Sequence, residues 1–195
     1  MADIPSRQIR AVYDNDTIRV YQAYRDDIAD TALANGTFVS PPFSMTRMTW
    51  IKPSFLWMMY RAGWGFKDEG QKRILAIDIT REGFEWALAN SSLSHVPTSK
   101  DAPPVRVQWD PERDIFHRPL ANRSIQIGLG PHAVPLYVRN WIRKISDLTA
   151  TAHRIRDLVV KGDLEAAQAG LLRENPYPVS AELRRHLEMD LSAHD

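Results

Sequence analysis

Apolar and polar positions alternate along residues 7–24, RQIRAVYDNDTIRVYQAY, most clearly around Ile18 and Val20. That period predicts two strands turning at Asp14-Asn15-Asp16, a hairpin. From 25 to 34 the spacing becomes helical, with Ile28, Ala29, Ala32 and Leu33 on one face and Asn35-Gly36 as the stop. A short strand is expected over 37–39, cut off by Pro41-Pro42. Residues 53–62 read as a helix, because Pro53 suits a first turn and Gly63 a stop. On a 3.6-residue period Phe55, Met58, Met59 and Ala62 share one face, Leu56 and Tyr60 a second, and Trp57 and Arg61 a third. Such a helix is expected to be buried on two sides and to open its third toward a cleft.

The run RILAIDIT at 73–80 predicts a strong strand, followed by a short helix, REGFEWALAN, with Thr80 at its cap. SSLSHVPTSKDAPP is a loop. Two alternating strands follow at 105–110 and 123–129, the first ended in a turn by Asp110-Pro111. Beyond Pro135 the pattern is helical throughout: Trp141, Ile145, Leu148, Ala152, Ile155 and Val159 recur at three or four residues. A further helix is expected over 164–172 and a last one over 182–191, separated by ENPYPVS. This order predicts an α+β fold: an N-terminal mixed, mainly antiparallel sheet with short helices, followed by a helical C-terminal third. One domain is expected over 1–195, its α+β core at 7–134 and its helical part, 135–195, packed on that core.

Composition narrows the class. With 44% hydrophobic and 25% charged residues in 195, the chain reads as a soluble globular protein able to bury a sizeable core. A net charge of +1 argues against a generic nucleic-acid binder. Arginine nonetheless dominates the cations, 19 against 6 lysines, and favours planar, bidentate contacts to phosphate or carboxylate. The absence of cysteine excludes disulfides, thiolate metal sites and a cysteine nucleophile. MADIPSRQIR carries no apolar signal core, and no apolar run approaches a membrane span, so a cytoplasmic protein without a membrane partner is expected. There is no phosphate loop, no HExxH and no Gly-x-Ser-x-Gly elbow, and the six histidines are scattered, so no metal site is expected.

Three segments carry candidate chemistry. In RMTWIKPSFLWMMYRAGW, residues 47–64, Arg47, Lys52 and Arg61 are interleaved with Trp50, Trp57 and Trp64. That mixture suits an anionic or aromatic ligand, and Trp57 and Arg61 stand at i and i+4 for a cation-π contact. A core helix whose arginine reaches solvent is the alternative. In VRVQWDPER, residues 105–113, alternation sends Gln108 to the face opposite Val107 and Trp109. In RSIQIGL, residues 123–129, it puts Arg123, Ile125, Ile127 and Leu129 on one face and Ser124 with Gln126 on the other. A polar Gln in such a strand either lines a cleft or lies on an exposed sheet face.

These three segments, in this order and spacing, resemble the bacterial and fungal family catalogued as domain of unknown function 4291, over about residues 7–172. The family name carries no activity. The opening, strand TIRVYQAY, helix RDDIADTALANG and strand TFVSP, is similar in layout to the start of ADP-ribosyltransferase-like domains, whose first strand bears a ligand-contacting polar residue and whose late strand bears Glu or Gln. That resemblance implies NAD as cofactor, with Gln22 or Tyr24 facing its nicotinamide half, Arg47 and Lys52 its pyrophosphate, and Gln126 the ribose hydroxyls. Gln22 stands where such enzymes usually carry Arg or His, and Gln126 is not an acid.

The expectation is therefore a nucleotide-binding enzyme, with NAD-dependent ADP-ribosyl transfer to nucleic acid or protein as its specific form. Gln126, Tyr24 and Gln22 are its candidate catalytic residues. Arg47, Trp50, Lys52, Trp57, Arg61, Trp64, Gln108 and Arg123 are its candidate ligand-binding residues, for a nucleotide or another anionic small molecule. It requires Arg47, Gln108 and Gln126 to meet in one pocket. Two other readings stay open: a noncatalytic module stacking single-stranded nucleic acid on Trp50, Trp57 and Trp64, and a protein-protein interaction domain built on the same aromatic block.

Overall fold

A computed structural model describes residues 5–97 and 102–190. In chain order the elements are β1 (Arg10–Ala11), β2 (Thr17–Tyr24), α1 (Asp26–Asn35), β3 (Thr49–Ile51), α2 (Phe55–Ala62), β4 (Arg73–Thr80), α3 (Arg81–Ala89), β5 (Ser91–Leu93), β6 (Val105–Arg113) and β7 (Pro119–Leu129). After these come α4 (Val134–Leu136), a π turn at Tyr137–Trp141, β8 (Ile142–Asp147), α5 (Thr149–Lys161), α6 (Leu164–Ala169), β9 (Asn175–Pro176) and α7 (Ala181–His186). Strands β2, β4 and β8 form one antiparallel sheet in the order β2-β4-β8. A second sheet runs β3-β7-β6-β5, antiparallel except that β5 lies parallel to β6. The fold is α+β.

The near-continuous apolar run of β4 has a physical reason, since this central strand is covered on both faces. Leu75, Ile77 and Ile79 join Ile18 and Val20 of β2 and the inward residues of the other sheet, Ile51, Val105, Val107, Ile125, Ile127 and Leu129, in the larger core. Ile74 and Ala76 point the other way, into a smaller core with Tyr21, Met58 and Met59, closed by Ala152 and Ile155 of α5 and Ala167 of α6. The two sheets touch through the backbone where the amide of Tyr21 donates to the carbonyl of Lys52 at 2.7 Å.

Helix α2, which carries one wall of the cleft described below, is fixed at both ends. Ser54 is its N-cap and accepts from the Trp57 amide. The Glu174 carboxylate accepts from the Phe55 amide at 2.7 Å, and the Ser54 hydroxyl donates to Glu112 at 2.9 Å. Two carboxyl groups thus gather at the positive end of the helix dipole. Burial, reinforced by the neighbouring Glu112, pushes Glu174 up to about 8 against the lowering effect of the Phe55 hydrogen bond. At the other end Gly63 takes a left-handed conformation, φ 56°, as the sequence predicts.

Several sequence expectations are corrected. The hairpin reduces to its turn: Tyr13 bridges Ile18, but Arg10–Ala11 pairs with Asn175–Pro176, and β2 finds its ladder partner in β4. No strand forms at 37–39. Phe38 instead stacks on Phe43 at 4.6 Å beside Tyr24, in a cluster that replaces ladder bonds with aromatic packing. Strand β6 runs through Pro111 to Arg113, because β5 pairs only with residues 105–107 and leaves that stretch an edge where a missing N–H costs little. The segment after Pro135 is not helical throughout. Ile142 and Ile145 belong to β8, which covers the open edge of β4. The helix expected over 164–172 stops at Ala169, and the one expected over 182–191 is formed over Ala181–His186; residue 191 lies outside the described residues, as do 98–101 of the 91–104 loop, whose first residues form β5. The residues after 134 pack on the rest as expected of a C-terminal part, but not as helices alone: β8 completes a sheet, α5 and α6 close the smaller core, and Leu187 and Met189 enter the larger one. No helix among the described residues is long and apolar enough to cross a membrane.

Two stability outcomes follow from this packing. A Cβ at Gly83 would lie 2.3 Å from the Trp141 ring, so Gly83→Ala should lower the urea midpoint by the equivalent of about 1–3 kcal/mol without changing the slope. Because the Glu174 carboxyl titrates higher in the folded chain than its ordinary 4.5, the folded state holds a proton that the unfolded chain releases, and stability should fall as pH rises from 4.5 toward 8. Glu174→Gln, which keeps an acceptor for the Phe55 amide, should flatten that fall in urea titrations across the same range.

Candidate functional site

A cleft of about 740 Å³ opens where the two sheets meet. Its floor is the face of the four-stranded sheet turned away from the larger core. Alternation along β3 and β7 places Trp50, Lys52, Gln126 and Gly128 on that face, opposite Ile51, Ile125 and Ile127. The end of β2 supplies Gln22 and Tyr24, the loop before β3 supplies Phe43 and Arg47, and α2 supplies Met58 and Arg61.

Gly128 faces Trp50 in register, and a Cβ there would stand 2.9 Å from the indole. The glycine of RSIQIGL is therefore the seat on which Trp50 lies. Beside it the Gln126 side-chain amide donates to Asp110 at 2.7 Å, and the Gln108 amide donates to the other oxygen of the same carboxylate at 2.8 Å. Gln126 keeps its carbonyl for the cleft while its NH₂ is oriented by Asp110.

Gln22 is a buried tie. Its carbonyl accepts from the Tyr137 hydroxyl at 2.7 Å, and its amide donates to the Tyr24 hydroxyl and to the Trp50 carbonyl, each at 3.0 Å. Tyr24 in turn lies 3.3 Å from the Thr49 hydroxyl. Burial pushes the Tyr24 phenol up to about 12, so at neutral pH it is a hydrogen-bond donor and not a base.

Lys52 is the chemically unusual group. It is only 6% exposed, and its Nζ donates to the Trp50 carbonyl at 3.3 Å. Among the described residues no carboxylate comes within 4.0 Å of it, and the Trp57 ring centroid lies 5.5 Å away. Burial first, then the like charge of Arg61, pulls the ammonium down to about 7, with Asp110 opposing. Arg47 and Arg61 are exposed and form no ion pair among the described residues, whereas Arg25 at the rim is held by Asp27 at 2.6 Å. Asp68 is the lone carboxylate among the residues lining the cleft. The site is thus a cationic cavity with an aromatic floor, suited to a flat anionic ligand.

Of the expected site residues, Gln22, Tyr24, Arg47, Trp50, Lys52, Arg61 and Gln126 line this one cleft. Four do not. Trp57 is buried off the cleft, its ring against Tyr60 and below the Lys52 amine, and Met58 shares the cleft wall with Arg61 instead. Trp64 is buried and stacks on His117 at 5.2 Å. Gln108 stands one strand over, opposite Gln126, and reaches the cleft only through their shared Asp110. Arg123 donates to the Trp109 carbonyl at 3.1 Å and is spent on that strand pair. Arg47 and Gln126 therefore line one cavity, but the expected meeting of all three with Gln108 does not occur. Sequence reasoning missed Arg25 and Asp110; the latter was within reach, since Asp110 follows Gln108 by two positions and shares its face. Glu112 and Glu174 carried no local signal, because 62 residues separate them.

The family model described as domain of unknown function (DUF4291) matches residues 8–177, and the chain belongs to that family. A search of curated proteins found no match. Among the described residues no group of three or more His, Asp or Glu side chains is arranged to hold a metal ion.

The Trp50–Gly128 contact makes a coupled prediction. Gly128→Val should lower stability by about 1–3 kcal/mol, and combining it with Trp50→Ala should cost about 0.5–3 kcal/mol less than the sum of the single changes, as read by a double-mutant cycle in urea.

Proposed function

We propose that the cleft binds a nucleotide and that the protein is a nucleotide-handling enzyme. The observation that carries this reading is the convergence of two arginines without acidic partners, Arg47 and Arg61, with the exposed face of Trp50 and the polar groups of Tyr24 and Gln126 around one cavity. Arginine forks match phosphate oxygens, the indole offers a surface to a base, and the two polar side chains match ribose hydroxyls. The buried amine of Lys52 supports a chemical role, because a strongly perturbed titratable group lining a cleft is a candidate reactive group.

NAD-dependent ADP-ribosyl transfer to nucleic acid or protein is the second reading. It is favoured by Gln22, Tyr24 and Gln126 lying on the same cavity as Arg47 and Lys52, and opposed by the full use of both Gln22 amide protons inside the fold. Single-stranded nucleic-acid binding through three stacked tryptophans loses support, since Trp57 and Trp64 are buried.

A thermal-melt panel of NAD, ADP-ribose, ATP and a short single-stranded oligonucleotide tests the proposal. A nucleotide at about a hundred times its dissociation constant should raise the melting temperature by about 5–10 °C. Arg47→Ala should abolish that shift and leave the unliganded melt within about 1–2 °C of the parent, because Arg47 is exposed and makes no ion pair among the described residues. No shift with any nucleotide would end the proposal.

A further inference from the structure

We propose that Lys52 is the nucleophile of the cleft, attacking the phosphorus next to the nucleoside in a bound phosphoanhydride to form a lysyl-nucleotide phosphoramidate. This rests on the nucleotide reading and goes further, by naming the bond that reacts.

Four features of the position converge. The side chain is buried yet lines the cavity, so its amine is shielded from bulk water and reachable by ligand. No carboxylate among the described residues neutralises it, and a desolvated lysine beside a second cation is the arrangement in which an amine holds a free lone pair near neutrality. The amine is aimed by a rigid frame: the Lys52 carbonyl is tied to the Tyr21 amide at 2.7 Å, Pro53 follows with a fixed φ, and Ser54 then caps α2. Finally, Arg47 and Arg61 line the same cavity, where they can bind the phosphate chain and offset charge on the leaving oxygen.

The step balances without an oxidant or reductant. The Nζ lone pair forms the P–N bond, the P–O bond to the leaving group breaks, and one amine proton is released to water. The leaving group is pyrophosphate from a nucleoside triphosphate or nicotinamide mononucleotide from NAD. A hydroxyl acceptor then attacks the phosphorus, the P–N bond breaks, and the amine is restored. The charged and titratable groups around Nζ are Arg61, Asp110, Arg47, Arg25, Asp68 and Tyr24, of which Tyr24 titrates only at about 12.

The test incubates the full chain with magnesium and either ATP labelled at the α-phosphate or NAD labelled in its adenylate half, followed by intact mass and peptide mapping. The expected result is a single adduct on Lys52, acid-labile and alkali-stable, released with pyrophosphate from ATP or nicotinamide mononucleotide from NAD. Its initial rate should rise with pH through about 7 and level off above it. Lys52→Met and Lys52→Arg should lose the adduct while still unfolding in a single cooperative transition without ligand, which separates lost chemistry from lost folding. A melting shift in the parent with no adduct, an adduct on another residue, or nicotinamide release without a P–N bond would overturn the nucleophile and leave nucleotide binding standing. Failure to bind any nucleotide would overturn both.

Discussion

The hydrogen bond from the Tyr21 amide to the Lys52 carbonyl is the joint on which the cleft depends. Two sheets that share a core need not share a backbone contact, and here the contact falls at the end of β3, where the four-stranded sheet meets β2. It fixes the angle between the cleft floor and the Gln22–Tyr24 wall. The Trp50 carbonyl, two residues earlier, strengthens the joint by accepting from both Gln22 and Lys52. Gln22 then passes the tie to Tyr137 in the core. A buried glutamine with all its bonds made holds one geometry, since each alternative rotamer leaves a polar group unpaired.

Charge is sorted along α2. Its first turn receives Glu174 and, through Ser54, Glu112, while its last turn carries Arg61 into the cleft. Arg61 at the last turn suits the helix dipole, while the carboxyl groups stay at the opposite end of the helix, Glu174 holding its proton up to about 8. The cleft can therefore stay cationic in a chain whose net charge is only +1. Net charge was a poor guide to the site for this reason: the acids that cancel the arginines sit elsewhere, as in the Arg73 cluster with Asp26, Asp30 and Asp147.

Much of this was legible in the chain. Alternation assigned β4, β6 and β7 and put Gln126 on the face opposite Ile125 and Ile127, and the helix ending at Gly63 was expected, but its cleft side is formed by Met58 and Arg61 and not by the expected Trp57 and Arg61. What failed did so for definable reasons. In β8 the pair Ile142 and Ile145, with Trp141 before them, mimics a helical period, and nothing local reveals that β4 needs a second partner. Trp57 and Trp64 are as aromatic as Trp50, but only the pairing of Trp50 with Gly128 lays its ring on the cleft floor. The Glu112 and Glu174 pair depends on the chain returning to α2 after more than a hundred residues, which no window contains.

Lys52 brings the structural and functional arguments together. For stability alone, a methionine at this position would fill the same space beside Trp57 and Met58 without the desolvation cost, and replacing buried charges by apolar groups of like shape is commonly neutral or stabilising. The lysine is instead held by one carbonyl contact, the Trp57 ring and the charge of Asp110, which together do not offset the cost of burial beside Arg61. Sites that break local rules without structural compensation are where function is concentrated. The cost is tolerable because the surrounding frame is over-determined: two sheets, a capped helix and a saturated glutamine all fix the residues adjacent to Nζ. A chain that needed only to bind phosphate could do so with the exposed Arg47 and Arg61. The burial of Lys52 adds what those two do not supply, an amine whose proton is held more weakly, down to about 7, while lining the cavity.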